Sequence, residues 1–185
     1  MGIPQIRVPR FLQIMLTVHD TMPSPVGELL LTATDDGLTR VYFERHRRMD
    51  AIDPAWGPAR EYPGRAAEVL EAARSQLAAY FDGRLRAFDL PLAPRGSAFQ
   101  QAVWALLRDI PYGETTSYGA LAAKLGDPEA TRAVAGANAR NPISIVVPCH
   151  RVIGVHGALT GFGGGVEHKR WLLEHEGVLV GGLFD

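Results

Sequence analysis

A proline-rich segment near the middle of this chain separates two stretches that differ in hydrophobic periodicity. Before it, short β-branched and apolar runs lie between turn signals, whereas after it apolar residues recur at helical spacing. The segment itself, 88–94, holds Pro91 and Pro94, which lack an N–H donor and favour an extended connection. We therefore predict an α+β chain of two domains. Its predicted parts are a leader (1–11), an N-terminal α/β domain (12–90), a linker (91–95), a mainly helical domain (96–177) and a tail (178–185).

The first half predicts a small antiparallel sheet. Leu29–Thr34 and Leu38–Phe43 are strand-like runs, and the Asp-Asp-Gly sequence at 35–37 between them is typical of a hairpin turn. The run Met15–Val18 is a candidate third strand. The stretch 45–62 is polar and interrupted by proline and glycine, so we predict a surface loop there.

One helix is predicted to cover the apolar face of this sheet. Apolar side chains recur at near-helical spacing through Ala66–Phe81, and Gly83 follows where such a helix is expected to end. A sheet of about three strands needs cover of this kind, because a bare hairpin is only marginally stable in water.

The second half opens with a clear helix start. Ser97 followed by Gln100 matches a capping box, in which the two residues exchange side-chain and backbone hydrogen bonds. The apolar helical pattern that follows stops at Pro111-Tyr112-Gly113.

Two short helices joined by a glycine turn then form a helix-turn-helix candidate. Ser117 is placed to cap the first, Tyr118–Leu125, and Asp127 to cap a second that begins at Pro128 and ends near 138–141. Such pairs are also common as ordinary helical hairpins.

The second helix of this pair has small side chains over most of its surface. It is rich in alanine, contains Gly136, and carries Arg132 and Arg140. A slim helix with two arginines can lie close against a nucleic-acid groove. The alternative is that the small residues only allow close packing between helices.

The single cysteine follows an apolar run. Ile145-Val146-Val147 predicts a short buried extended segment, and Pro148 stiffens the backbone just before Cys149. A thiol becomes a good nucleophile as the thiolate, which needs a nearby base or positive charge, and His150 and Arg151 are candidates. A buried, inert cysteine is the alternative.

A glycine-rich stretch and a final helix follow the cysteine. The glycines within 154–165 indicate either a pocket wall that approaches a flat ligand closely or a flexible loop. The helix is predicted over Val166–Glu176 and is closed by Gly177. Glu176 is placed to reach back to the histidine, which would complete a thiol–imidazole–carboxylate series.

Composition narrows the function classes. The chain is 46% hydrophobic and 21% charged, as expected of a globular protein. Its formal charge of −1 argues against binding of nucleic acid through overall charge, but not against binding through a local basic patch. One cysteine excludes an internal disulfide and a cysteine-rich zinc site. No apolar run of membrane-spanning length and no signal-peptide pattern occur, so we expect a cytoplasmic protein.

The ordered motifs of the second half resemble those of the O6-alkylguanine-DNA alkyltransferases, also called methylated-DNA–protein-cysteine methyltransferases. The likeness covers roughly residues 96–177 with high specificity and extends to the layout of the first half. The motifs that carry it are Phe99-Gln100-Gln101-Ala102-Val103-Trp104, Ile110-Pro111-Tyr112-Gly113, Ser117-Tyr118, Arg132-Ala133-Val134, Asn141-Pro142, Ile145-Val146-Val147-Pro148-Cys149-His150-Arg151, Gly164-Gly165 and Trp171-Leu172-Leu173-Glu174-His175-Glu176-Gly177.

The resemblance implies a DNA-repair reaction in which Cys149 accepts the alkyl group from O6 of guanine, and by extension from O4 of thymine, once and irreversibly. His150 would take the thiol proton through a water molecule, and Glu176 would hold the imidazole. Tyr118 would assist departure of guanine, and Asn141 would hinge the recognition helix to the active loop.

The resemblance also implies double-stranded DNA with alkylated guanine as the partner, bound through the minor groove, with Arg132 entering the duplex in place of the extruded base. A ribonuclease-H-like first domain, a winged helix-turn-helix second domain, a monomer, no cofactor and no metal are further implications, and cooperative assembly on DNA is left open. The DNA-contacting residues would be Arg132, Tyr118, Ala130, Ala133, Gly136, Arg140 and Arg151. The pocket would be lined by Val152, Leu159, Phe162, Gly163 and Gly164, with the backbone carbonyls of Cys149 and Val152 reading the exocyclic amine.

Two pocket positions depart from many relatives, and two other functions stay as alternatives. Phe162 replaces a tyrosine, and Gly163 replaces a serine found in some members, which would widen the tolerance for large alkyl groups. A sensor that binds alkylated DNA without accepting the group would lack the cysteine, and Cys149 is present. A cysteine hydrolase using Cys149 and His150 would turn over repeatedly.

Overall fold

The computed structural model of the protein describes residues 16–44, 52–154 and 157–178. The first domain is built on a four-stranded sheet with the order β3-β2-β1-β4. The three longer strands are antiparallel, and the short β4 runs parallel to β1. The strands are β1 (Val18–Met22), β2 (Leu29–Thr34), β3 (Gly37–Phe43) and β4 (Gly57–Pro58).

The predicted hairpin is confirmed. Thr34 pairs with Gly37, so the turn consists of Asp35 and Asp36. The third strand is β1, which starts at Val18. Met15, where we placed the start of that strand, lies outside the described residues.

The predicted surface loop over 45–62 is wrong in its second part, whereas 45–51 lie outside the described residues. Gly57–Pro58 forms β4, and a 3₁₀ turn follows over Ala59–Glu61. The backbone N–H of Gly57 donates to the Thr17 carbonyl at 3.1 Å. A side chain at Gly57 would overlap the ring of Tyr62, so glycine allows the ring to close over this short strand.

The predicted covering helix is α1, Arg65–Phe81, and it is confirmed to within one residue. It packs across β1, β2 and β3. The residues it buries are Ala66, Val69, Leu70, Ala73, Leu77 and Tyr80.

The second half of the chain forms hydrogen bonds with the edge of β3 that does not pair with β2. The N–H of Leu38 donates to the Pro91 carbonyl, and the N–H of Ala93 donates to the Leu38 carbonyl, both at 2.8 Å. Further along, the N–H of Val41 donates to Pro142 at 2.9 Å, and the N–H of Ser144 donates to the Val41 carbonyl at 3.2 Å. Both the linker and the segment leading to Cys149 are therefore pinned to one strand, whose exposed edge is covered.

The second domain is mainly helical, as predicted. The capping box is present: Ser97 Oγ accepts from the Gln100 N–H at 3.3 Å, and Gln100 Oε1 accepts from the Ser97 N–H at 2.8 Å. The elements are α2 (Ala98–Arg108), β5 (Thr116–Ser117), α3 (Tyr118–Lys124), α4 (Thr131–Asn138), β6 (Val152–Ile153) and α5 (Val166–His175). Strands β5 and β6 pair in parallel.

The helix-turn-helix pair is α3 and α4. Ser117 caps α3, as predicted, by accepting from the Ala120 N–H at 3.1 Å. Asp127 instead caps a 3₁₀ turn over Pro128–Ala130, and α4 begins at Thr131. The start predicted for the second helix is therefore three residues too early as an α-helix. Within the described residues, no helix is long and apolar enough to cross a bilayer.

Replacing Ser97 with Ala should lower the free energy of unfolding by about 1 kcal/mol, because the Gln100 N–H at the start of α2 loses its acceptor. Urea denaturation measures the change. Ser75→Ala, at an exposed position inside α1, is the matched control. A Ser97→Ala midpoint equal to that of the control would contradict the assigned role of the cap.

Candidate active site

Cys149 opens a 3₁₀ turn, Cys149–Arg151, and its side chain is buried, with 4% of the residue exposed. The run before it is buried, as predicted, but it is not extended. Residues 144–147 form a tight turn in which Val147 N–H donates to the Ile143 carbonyl at 2.9 Å. Ile145 has a φ of +72°, a conformation that costs a β-branched residue energy. Tertiary contacts therefore override the strand preference of this sequence.

Asn141 holds this turn closed. Its Nδ2 donates to the Val147 carbonyl at 2.8 Å, and its Oδ1 accepts from the Ile143 N–H at 3.0 Å. Asn138, the last residue of α4, donates from Nδ2 to the Cys149 carbonyl at 3.4 Å. The end of the second helix is thus tied to the cysteine turn, as the hinge hypothesis for Asn141 requires.

A buried carboxylate lies at the centre of the site. Glu176 Oε1 accepts from Tyr80 Oη and lies 2.8 Å from His150 Nε2, with Arg151 Nη2 at 3.0 Å. Oε2 accepts from Arg151 Nε at 2.8 Å and from the Gly113 N–H at 3.3 Å. Five donors therefore converge on one side chain.

These donors keep Glu176 ionised. Burial alone would raise its pKa, but hydrogen bonds and charge from His150 and Arg151 outweigh burial and bring the pKa down to about 2. Burial lowers the pKa of His150, so the imidazole is neutral at pH 7 and Arg151 supplies the permanent positive charge.

The carboxylate also fixes the histidine tautomer. Because an ionised carboxylate only accepts hydrogen bonds, Nε2 of His150 carries the proton, and Nδ1 has a free lone pair. This Nδ1 atom is buried and has no hydrogen-bond partner among the described residues. It is therefore available to accept a proton.

Arg151, which we predicted to contact DNA, is buried. Its guanidinium pairs with Glu176 and donates from Nη1 to the Ile110 carbonyl at 2.6 Å, leaving 6% of the residue exposed. All of its polar contacts face inward because the buried carboxylate requires a charged partner.

Sequence reasoning missed Lys169, which is fully buried. Its Nζ donates to the Val152 carbonyl at 2.6 Å and to the Thr160 carbonyl at 2.9 Å. The spacing offered a signal, since Lys169 shares the inward stripe of α5 with Leu172, Leu173 and, one turn on, Glu176.

Lys169 also acts on the cysteine. Burial raises the pKa of the Cys149 thiol, and the Asn141 side chain, the Lys169 charge and Ser144 oppose that rise. Burial lowers the pKa of Lys169 itself to about 8. The resting cysteine is therefore a protonated thiol that needs a base for activation.

The glycine-rich stretch forms a wall beside the thiol. Buried Phe162 packs edge-on against Phe43, with ring centroids 5.4 Å apart, and faces His150 at 6.5 Å. A side chain at Gly164 would collide with the ring of Phe43, so glycine is needed there. Leu159 and Gly163 on this stretch are half-buried, and Val152 on β6 is buried.

Contacts with Thr160 fix the position of this wall. Tyr118, at the start of α3, donates from its hydroxyl to the Thr160 carbonyl at 3.2 Å, and Lys169 binds the same carbonyl. Burial raises the pKa of Tyr118, so it remains a donor at neutral pH. The carbonyls of Cys149 and Val152 are expected to read an exocyclic amine. The Cys149 carbonyl already accepts from Asn138 Nδ2 and from the Val152 N–H, and the Val152 carbonyl accepts from Lys169 Nζ.

Helix α4 presents small and cationic residues to solvent. Arg132, Ala133 and Arg140 are exposed, whereas Ala130 and Gly136 are half-buried. Arg140 Nη1 donates to the Gly136 carbonyl at 3.0 Å. The opposite face packs inward through Val134 and Ala137, where Trp104 Nε1 donates to the Ala137 carbonyl at 3.0 Å.

The comparisons agree on one family. The family described as "6-O-methylguanine DNA methyltransferase, ribonuclease-like domain" matches residues 17–94, and the "DNA binding domain" of the same description matches residues 98–178. The chain is 47% identical to the methylated-DNA–protein-cysteine methyltransferase of Methanosarcina acetivorans over 154 residues, which cover 83% of this chain and 94% of the relative. Its identity with the Haemophilus influenzae protein of the same name is 46% over 155 residues, 83% of each chain.

Solved structures show the same fold. The crystal structure of Mycobacterium tuberculosis OGT in complex with DNA aligns with a TM-score of 0.75 at 46% identity, covering 85% of this chain and 91% of that one. The Mycobacterium tuberculosis O6-methylguanine methyltransferase structure gives 0.74 at 44% identity, covering 91% and 98%. The fold and site define a two-domain protein with a single cysteine next to a buried histidine–carboxylate pair. The chain belongs to the methylated-DNA–protein-cysteine methyltransferase family.

Replacing Lys169 with Met should raise the pKa of the Cys149 thiol, because a buried positive charge that lowers it is lost. The pH dependence of Cys149 alkylation by iodoacetamide would shift to higher pH. Lys124→Met, which changes the other lysine of the chain at an exposed position of α3, is the matched control. A folded Lys169→Met protein with an unshifted profile would contradict the role of this charge.

Proposed function

We propose that this protein repairs DNA by transferring the alkyl group of O6-alkylguanine, and of O4-alkylthymine, to its own Cys149. The observation that carries the proposal is the neutral His150, held by Glu176 through Nε2 and unpartnered at Nδ1, directly after the single cysteine. The family names methylated DNA and a protein cysteine as its reactants.

The reaction forms one bond and breaks one. The Cys149 sulfur attacks the alkyl carbon, a carbon–sulfur bond forms, and the carbon–O6 bond breaks. The thiol proton passes to Nδ1 of His150 through a bridging water and ends on the departing base, so the products are a thioether and intact guanine. A thioether has no easy reversal, and each protein molecule therefore acts once.

The Glu176–His150 pair makes this transfer feasible at neutral pH. A buried thiol with a raised pKa does not ionise unaided, and the imidazolium that forms is stabilised by the adjacent carboxylate. Tyr118, whose raised pKa keeps it protonated, would turn its O–H from the Thr160 carbonyl to the departing base.

Recognition of the lesion requires a flipped base. The O6 atom lies inside the paired duplex, so the nucleotide must leave the stack to reach a buried sulfur. Helix α4 would enter the minor groove with its small exposed residues, and Arg132 would fill the space left by the base. Contacts that do not depend on sequence suit a protein that must inspect all DNA.

The pocket geometry suggests tolerance for large groups. Phe162 supplies a flat wall against which a base can stack, and Gly163 adds no side chain to the space beside it. We propose that benzyl and methyl groups are both accepted. A serine in place of Gly163 would slow benzyl transfer more than methyl transfer.

Incubating the protein with a duplex that carries one O6-methylguanine should add a single CH₂ unit to the intact mass. Peptide mapping should place it on Cys149, with saturation at one per protein. Cys149→Ser should bind the duplex without accepting the group. A bound but unmodified wild-type protein would instead indicate a damage sensor, and repeated turnover would indicate a hydrolase.

Arg132→Ala should slow repair of duplex DNA by more than tenfold while leaving the reaction with free O6-benzylguanine within about twofold, because only the duplex reaction requires extrusion of a base. Single-turnover rates on both substrates measure this difference. Arg95→Ala, an exposed arginine in the linker, is the control. Equal losses on the two substrates would remove the flipping role.

A further inference from the structure

One donor to the catalytic carboxylate comes from the other domain. Tyr80 lies in the last turn of α1, is fully buried, and donates from its hydroxyl to Glu176 Oε1 at 2.8 Å. The same oxygen lies 2.8 Å from His150 Nε2. A side chain of the ribonuclease-like domain and the histidine of the proton relay therefore bind the same oxygen, Oε1 of Glu176.

We propose that Tyr80 is a positioning residue that the N-terminal domain supplies to the alkyl-transfer site, where it fixes Glu176 Oε1 and offsets part of its charge. The inference rests on the proposed function. It gives the first domain a direct part in the reaction, beyond support for the second domain.

The position of the hydroxyl is fixed from several sides. The backbone carbonyl of Tyr80 lies 2.8 Å from Nε2 of His175, on the residue just before Glu176. The Tyr80 ring packs edge-on against His175 at 5.1 Å and against Tyr112 at 6.1 Å. Phe81 and Phe88 complete the aromatic surroundings at 5.4 and 5.5 Å. Such packing leaves the O–H little freedom to find another acceptor.

A hydroxyl at this atom limits the basicity of His150. Each donor to Oε1 withdraws negative charge from the oxygen that binds Nε2, so the imidazole is less easily protonated and stays a neutral base. Burial and the neighbouring Glu176 charge raise the pKa of Tyr80 far above its usual value, so it remains a donor at every pH of interest.

Charged and titratable groups on the neighbouring elements also face the His150–Glu176 pair. Arg151 lies on the cysteine turn, Lys169 on α5, and Tyr112 in the loop after α2, with Arg86 stacked on the Tyr112 ring at 5.5 Å. None of these groups changes when the Tyr80 hydroxyl alone is removed. A shift caused by that removal therefore reports on the hydroxyl.

The test compares the pH dependence of single-turnover transfer in Tyr80→Phe and Tyr112→Phe. Tyr112 is the matched control because it is an adjacent tyrosine whose hydroxyl donates to a backbone carbonyl, that of His175, at 3.1 Å. Loss of the Tyr80 hydroxyl should make His150 more basic, and because only the neutral imidazole acts as the base, the midpoint of the profile should move to higher pH by roughly half a unit, a threefold change in equilibrium. Tyr112→Phe should leave the midpoint unchanged.

Glu176→Gln is a comparison variant whose midpoint should shift in the opposite direction to that of Tyr80→Phe. Removing the negative charge makes His150 less basic, so the neutral base is present at lower pH and the midpoint should move to lower pH. A merely structural role for Tyr80 would lower stability without a shift of the midpoint to higher pH. A midpoint for Tyr80→Phe that equals that of the wild type, or that moves to lower pH, overturns the proposal.

A second replacement keeps the side chain and changes only the donor strength. 3-Fluorotyrosine at position 80 is a stronger donor and should move the midpoint to lower pH, opposite to phenylalanine. NMR titration of His150 in the Cys149→Ser background should show the same order of pKa values without any reaction. If the wild type transfers no alkyl group, the proposed function fails; if it transfers and position 80 shifts nothing, only this inference fails.

Discussion

The structure depends on the ionised, buried carboxylate of Glu176. An unpaired charge at this depth would cost several kcal/mol, and the donors from His150, Arg151, Tyr80 and the Gly113 backbone remove that cost. These donors come from three parts of the chain and both domains. The contacts that offset the cost of burying the carboxylate charge also determine which nitrogen of His150 carries the proton.

The edge of β3 provides the second constraint. Backbone hydrogen bonds from Leu38 and Val41 attach the linker and the segment before the cysteine to the sheet. The turn that carries Cys149 is then closed by Asn141 from the end of α4. The sheet, the end of α4 and the turn that carries Cys149 are therefore held in one arrangement.

Much of the fold followed from local patterns. The hairpin at 35–37, the capping box at Ser97 and the cap at Ser117 are interactions between residues a few positions apart, and the structure has all three. The extended segment at 145–147 was wrong because the hydrogen bonds of Asn141 select a turn against the β-branched preference. The burial of Arg151 could not be predicted from local patterns, because its partner Glu176 lies 25 positions away.

The sequence by itself determined the nucleophile, its neighbouring base, the caps and the division into a sheet half and a helical half, because these depend on residue chemistry and short-range periodicity. Only the tertiary structure decided which groups surround the relay. Tyr80 and Glu176 are 96 positions apart, and Lys169 could be recognised as a buried cation only once Val152 and Thr160 were seen around it. Long-range electrostatics depends on distances that the order of residues does not encode directly.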